Sequence, residues 1–346
     1  MAQHTPHPAA AETPWLIERV GPGERRPALG MLLRGRAGAR DAGVDHFIRY
    51  SQRQGLDLDE LWVLRDRDRP DRLLAATMLI PAPGRSAMLF VSPGASWPAA
   101  EPVCQLVQQM CRAQDAGRLR LIQALLEPDQ QRTRQMLGEA GFIELATLIY
   151  MQRRTPPDTG RSAGGASARD GRGPREADVL APEDRHYRVY HWDEAHRRRF
   201  AAAIEASYER TLDCPALRGL RQIDDVIAGH QAAGVFRPQL WYALYDGPQP
   251  AAVMLINELP QADACELVYL GLAEAHRGRG LARRLLAHGL ERVAHLGRSR
   301  LMLAVDERNV PALRLYQGLE FAETGRKCAM IRAVGEQGQG TQARWH

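Results

Sequence analysis

A chain of 346 residues that is 45% hydrophobic is long enough for two domains of ordinary size, each with a core of its own. It has no apolar run near the roughly 18 residues of a membrane span, so no membrane partner is expected, and its Ala-, Pro- and His-rich start lacks the apolar centre of a signal peptide. The net charge is +5, Lys327 is the only lysine, and the one basic run, HRRRF at 196–200, reads as the solvated face of a helix, so no nucleic-acid partner is expected.

The five cysteines, Cys104, Cys111, Cys214, Cys265 and Cys328, are odd in number and show no CxxC or His/Cys metal spacing. They exclude structural zinc and fit a reducing cytoplasm; no metal is expected, and the chain reads as a monomer or homodimer.

Residues 1–13 read as a disordered start. In the first unit, 14–154, strands are expected at 61–66, 72–80 and 87–92, then a helix at 99–114, a strand at 118–126, a helix at 129–140 and a strand at 142–152. Residues 155–185 are rich in Gly, Pro, Ser and charge with almost no large apolar side chain, the composition of a flexible linker. The second unit, 186–334, begins with an alternating strand at 186–192. Phe200, Ile204 and Tyr208, four apart, mark a helix over 196–210, and a second helix is expected at 221–233. Strands at 240–246, 251–259 and 265–272 follow, separated by turn-forming segments. RGRG at 277–280 opens a helix whose Leu281, Leu285, Leu286, Val293 and Leu296 share one face. A strand at 300–305, a helix at 311–319 with proline in its first turn, and a strand at 321–334 complete the unit; 335–346 reads as a disordered tail. The two units repeat one order of elements, which defines an α+β chain of mixed β-sheets with flanking helices.

The segment CELVYLGLAEAHRGRGLARRLL, 265–286, carries the chemistry. An apolar strand runs into a glycine-containing turn, and a helix starts there. The first turn of a helix has unpaired N–H groups and a partial positive charge, a combination that binds phosphate oxygens. Gly278 and Gly280 let a pyrophosphate approach the backbone, and Arg277 and Arg279 add positive charge. A dinucleotide fingerprint requires a third glycine where Arg283 stands, and a P-loop requires Gly-Lys-Ser/Thr, so both are excluded.

RGRGLA at 277–282 resembles the acyl-CoA pyrophosphate motif of the GNAT superfamily of N-acetyltransferases, R/Q-x-x-G-x-G/A. NVPALRLYQGLEF at 309–321 resembles the next helix of that superfamily, N-x-x-A-x-x-L-Y-x-x-x-G-F, and the two motifs fall in the expected order. The tandem layout and the wording of both motifs look like those of the mycothiol synthases within it. The resemblance implies two tandem acyl-CoA N-acyltransferase folds. It implies that acetyl-CoA is the co-substrate, with Leu270, Gly271 and Leu272 beside the pantetheine arm, Arg277, Gly278, Arg279, Gly280, Leu281 and Ala282 at the pyrophosphate, and Asn309 near the thiol. The first unit has no counterpart of RGRGLA in PGASWPAAEP after its third strand, and reads as a degenerate copy.

Transfer to a primary amine, of a small molecule or a protein, needs a base and an acid. Glu266 lies eleven residues before Arg277, the spacing of the catalytic glutamate in the histone-acetyltransferase branch, and is the base candidate; Glu258 on the preceding strand is the second choice. Ala304 stands where another branch places its glutamate, which excludes that version of the mechanism. Tyr316, the motif tyrosine, is the acid candidate. The acceptor is expected to meet the segment 207–220, with Tyr208, Asp213 and Arg218 as polar contacts; Cys214 has no histidine near it in sequence and reads as a plain loop cysteine. Two alternatives stay open: a non-catalytic acyl-CoA-binding regulatory module, and an acyltransferase using another acyl-CoA or a hydroxyl acceptor. Glu320 replaces the glycine that usually precedes the motif phenylalanine and puts the local turn geometry in question.

Overall fold

A computed structural model describes residues 13–33, 41–155, 186–217 and 219–335. Residues 1–12, nearly all of the expected linker and tail (156–185 and 336–346) and Arg218 lie outside the described residues.

The first half consists of β1 (Trp15–Arg19), α1 (Arg25–Leu33), α2 (Asp41–Gln54), β2 (Leu61–Asp66), β3 (Leu73–Ala82), β4 (Ser86–Val91), α3 (Glu101–Arg112), β5 (Leu121–Leu126), α4 (Gln131–Glu139) and β6 (Ile143–Arg154). The second half repeats the order: β7 (Tyr187–His191), α5 (Arg197–Ser207), α6 (Ile223–Ala232), β8 (Trp241–Asp246), β9 (Gln249–Leu259), β10 (Ala264–Leu272), α7 (Leu281–His295), β11 (Arg300–Asp306), α8 (Val310–Gly318) and β12 (Ala322–Ala333). The repeat of strand, two helices, three strands, helix, strand, helix and strand makes the chain a tandem of one α+β fold. The sequence reading had found no element before residue 61; β1, α1 and α2 fill that stretch.

All twelve strands join one sheet, in the order β1-β2-β3-β4-β5-β12-β6-β11-β10-β9-β8-β7. The order shows an exchange. β12 lies antiparallel on β5 of the first half, from Cys328 opposite Leu126 to Ala333 opposite Leu121. β6 lies antiparallel on β11 of the second half, from Arg154 opposite Arg300 to Leu148 opposite Asp306. The sheet therefore does not part between 154 and 186, where the sequence placed a linker between two units. Ile149 and Met151 of β6 pack in the core under α7 and α8, while Cys328 and Met330 of β12 pack in the core under α3 and α4. Thr155, the first residue of the expected linker, is docked: its N–H donates to the Ser299 carbonyl at 3.0 Å and its hydroxyl to the Arg298 carbonyl at 2.6 Å.

In the second half, α7 and α8 cover one face of the sheet, and α5 and α6 cover the other around Trp241, Ala243, Val253 and Leu255. Leu281, Leu285, Leu286, Leu290 and Val293 form the buried stripe of α7. Among the described residues no helix is long and apolar enough to cross a membrane.

Candidate active site

β10 and β11 run parallel but pair over three residues only, Ala264–Glu266 against Arg300–Met302. Beyond that point β10 follows β9 through Leu272, with an irregularity between Leu267 and Tyr269, and β11 follows β6 through Asp306. A wedge opens between them, and the amides of Leu270 and Leu272 face it without a strand partner, since the next amide, Ala273, turns the other way to the Ala251 carbonyl at 3.0 Å. A cavity of about 420 Å³ fills the wedge and continues between α7 and α8.

One wall is the turn before α7. Gly278 has φ +74° and Gly280, the residue that caps α7, has φ +76°, both in the left-handed region that favours glycine. Among the described residues no acceptor meets the amides of Gly278, Arg279, Gly280, Leu281 or Ala282. Five unsatisfied N–H groups at a helix start form a cradle for an anion. The opposite wall is α8, whose cap, Asn309, accepts from the Ala312 amide at 3.3 Å through Oδ1. Asn309 and Tyr316 both line the cavity.

The two arginines of the turn differ from expectation. Arg277 lines the cavity, but its guanidinium is engaged with carbonyls: those of Leu272 (3.1 Å), Arg210 (3.2 Å), Ser207 (3.0 Å) and Glu209 (2.7 Å). It clasps the turn to the end of α5. Arg279 is exposed and is not part of the cavity wall, whereas Arg283, in the first turn of α7, is. The sequence had marked position 283 only as a missing glycine; its place one helical step past the cradle was the signal available.

A second cavity, about 180 Å³, lies on the α5/α6 side of β10. It shares Thr211, Asp213 and Tyr269 with the first, so the two spaces meet where β10 leaves β11. Tyr208, Cys214, Arg221, His230 and Val268 also line it. The Tyr269 hydroxyl is 2.7 Å from Ser207 Oγ, and the Tyr269 ring stacks on His230 at 5.4 Å between centroids. Burial drives His230 down to about 3, so this imidazole is neutral near pH 7. Asp213 lines both cavities; burial, and less strongly the charge of Asp306, raise its carboxyl above the ordinary range, against the pull of the Asp306 backbone N–H. Burial and then the charges of Asp213 and Asp306 push the Cys214 thiol up to about 12, which keeps it an inert thiol. Burial, assisted by Asp213, raises the Tyr316 phenol well above its ordinary value.

Glu266 borders neither of these two cavities. It lies on the α5/α6 face of β10, two residues before Val268, and burial raises its carboxyl. It is close enough to raise the Tyr150 phenol of β6, after burial the largest influence there. Glu258 is not an available base. It is buried at 3% exposure and held by Arg237 and by Arg298, whose Nε lies 2.7 Å from Oε1. Burial works to raise its carboxyl, but the two guanidinium groups outweigh it and hold the carboxyl below the ordinary range. In the first half the matching turn after β4 is filled: Trp97 is buried, its Nε1 donates to Ser92 Oγ at 3.1 Å, and Arg132 lies 5.7 Å over its ring while donating to the Gly94 carbonyl at 2.8 Å.

Residues 178–321, in the second half of the chain, match the acetyltransferase (GNAT) family. Among curated proteins, the mycothiol acetyltransferase of Corynebacterium aurimucosum is 37% identical over 68 residues, covering 20% of this chain and 22% of that protein. The mycothiol acetyltransferase of Gordonia bronchialis is 31% identical over 112 residues, 32% of this chain and 36% of that one, so the matches span little more than a third of either relative at most. Among solved structures, a GCN5-related N-acetyltransferase from Sphaerobacter thermophilus superposes with a TM-score of 0.55 at 15% identity, covering 94% of this chain and 97% of that one. That likeness extends the shared fold over both halves.

Proposed function

We propose that the second half is an N-acetyltransferase that moves an acetyl group from acetyl-CoA to a primary amine. The observation that carries this reading is the meeting of the two cavities at Thr211, Asp213 and Tyr269, beside strand backbone left unpaired by the wedge. A thioester in the larger space and an amine in the smaller one face each other only there. The free amides of residues 278–282 suit a pyrophosphate, and Leu270–Leu272 suit the pantetheine amides by strand-like pairing.

The chemistry joins the amine nitrogen to the acyl carbon and breaks the carbon–sulfur bond. Asp213, at the junction, holds the incoming ammonium. Glu266, on the same face of the sheet and raised by burial, takes the amine proton through water. Backbone N–H groups at the wedge stabilise the negative oxygen of the acyl carbon. Tyr316, kept protonated by its burial, gives its proton to the departing thiolate. Arg277 positions the cradle and stays outside the reaction.

The test is calorimetric binding of acetyl-CoA together with thiol release across a panel of amines and peptides. Binding with amine-dependent release is the expected result. Binding without release from any acceptor makes the chain an acyl-CoA-binding module, and release only with longer acyl-CoA thioesters or alcohols makes it a different acyltransferase.

A further inference from the structure

The smaller cavity contains a positive charge that the protein leaves unneutralised. Arg221 stands in its wall, partly buried, and among the described residues its only hydrogen bond runs from Nη2 to the Asp225 backbone carbonyl at 2.9 Å. Its Nε is buried without a partner. Among the described residues no carboxylate lies within ion-pair distance of it. The Asp225 carboxylate, the obvious candidate, is taken by Arg85 of the first half, at 2.9 Å from Nε and 2.7 Å from Nη2. Burial already disfavours the Arg221 charge, with the neighbouring Tyr208 and Asp225 acting the other way. The remaining groups cannot answer it: His230 is neutral, Tyr208 and Tyr269 are phenols, and Val226, Val268 and Leu217 are apolar. Asp213 lies at the mouth towards the larger cavity, where the reacting nitrogen belongs.

We propose that the acceptor is a small amine that also carries an anionic group, a carboxylate or a phosphate, which Arg221 binds while the amino group meets Asp213. This rests on the amine acylation proposed above and adds its substrate class. A partly buried guanidinium with an unpaired Nε pairs strongly with such oxygens, and 180 Å³ admits a molecule of amino-acid size. An oxyanion bound there leaves the amine at the opposite, Asp213 end.

The experiment compares matched pairs on the full chain: alanine and β-alanine against their carboxamides, and phosphoethanolamine against ethanolamine. Thiol release gives kcat/KM for each, and calorimetry on the CoA-loaded protein gives Kd. The anionic member should be favoured at least about tenfold, the effect of one charge-assisted hydrogen bond; which pair shows it tells carboxylate from phosphate. Arg221→Gln should bring the ratio near one, and Arg221→Lys should retain part of it, with coenzyme affinity reporting that each variant is folded. Equal treatment of both members by the wild type overturns the proposal whatever the variants do, and so does an unchanged ratio in Arg221→Gln. Silence of the whole panel in thiol release, with coenzyme bound, counts against amine acylation, and the Kd ratios still decide the anion site.

Discussion

Gly271→Ala tests whether the wedge depends on how closely α5 lies on β10. A Cβ at Gly271 would stand 2.5 Å from Ser207 Oγ, 2.6 Å from Ser207 Cβ and 2.8 Å from Tyr269 Cε1. None of these atoms yields easily. Ser207 is buried, its hydroxyl donates to the Ile204 carbonyl at 2.6 Å, and it meets the Tyr269 hydroxyl at 2.7 Å. Overpacking of this kind costs about 1–3 kcal/mol. Alanine recovers about 0.4–1 kcal/mol through the unfolded chain, so the net loss should be about 1–2 kcal/mol. The consequence reaches the site because the Ser207 carbonyl accepts from Arg277 Nη2 at 3.0 Å. Moving α5 loosens the clasp that sets the anion cradle, and acetyl-CoA affinity should fall with stability. Urea denaturation and calorimetry measure the two. Adding Ser207→Gly removes the clashing atoms, and the double variant should be less destabilised than the sum of the single changes. A Gly271→Ala protein as stable as wild type, or strict additivity with Ser207→Gly, would refute the reasoning.

Glu320 has φ +62° and its side chain is 82% exposed at 3.1 Å from Arg153. Glu320→Gly should therefore stabilise the chain by about 1 kcal/mol, the left-handed strain outweighing an exposed ion pair worth a few tenths, seen as a higher denaturation midpoint. Glu258→Gln should cost about 1–3 kcal/mol by removing the buried charge that Arg237 and Arg298 share, although Asp263 still lies beside Arg298. The wild-type carboxyl is depressed in the folded state, so its contribution is present above the ordinary carboxyl range and is lost as pH falls through the depressed value; the variant should lack that acid loss in denaturation curves. Glu266→Gln should lower kcat about 10²–10⁴-fold with coenzyme affinity kept. Because burial raises the Glu266 carboxyl, the wild-type rate should fall on the acid side at a pH above the ordinary carboxyl value of about 4.3, and that limb should vanish in the variant.

Much of the second half was legible in the sequence because its signals are local. Period-2 and period-3.6 apolar patterns gave every strand and helix after residue 186 within a few residues, and Gly278 and Gly280 announced a turn that the positive φ angles explain. A residue's surroundings were legible where they follow from backbone type, and not where they follow from a partner distant in sequence. Arg277 looked like a phosphate ligand because its four carbonyl partners belong to the end of α5, the turn after it and the end of β10. Glu258 looked free because its partners lie 21 and 40 residues away. Arg221 passed unnoticed because its significance is the absence of a neighbour. The exchange of β6 and β12 was hidden for another reason: the apolar pattern of a strand marks it as a strand but does not name the neighbour it pairs with, here a strand of the other half of the chain.

That exchange also says why a half with a filled turn remains part of the site. β6 supplies the neighbour for the whole of β11, and without it the strand that forms one side of the wedge has no partner on its outer edge. The β3–β4 turn of the first half reaches α6 as well. Gly84 has φ +81°, and a Cβ there would come within 2.1 Å of the Asp225 carbonyl, so the turn lies directly on the helix start. Arg85 beside it occupies the Asp225 carboxylate and hydrogen-bonds Gln222, and in doing so leaves Arg221 unpaired. Arg85→Gln should free Asp225, whose backbone already holds Arg221, to turn its carboxylate onto that guanidinium. The preference for anionic over neutral amines should then drop several-fold although no residue of the smaller cavity has changed, read as the ratio of Kd values for alanine and its carboxamide. A ratio that stays at the wild-type value would mean that the first half braces α6 without setting the charge of the acceptor site.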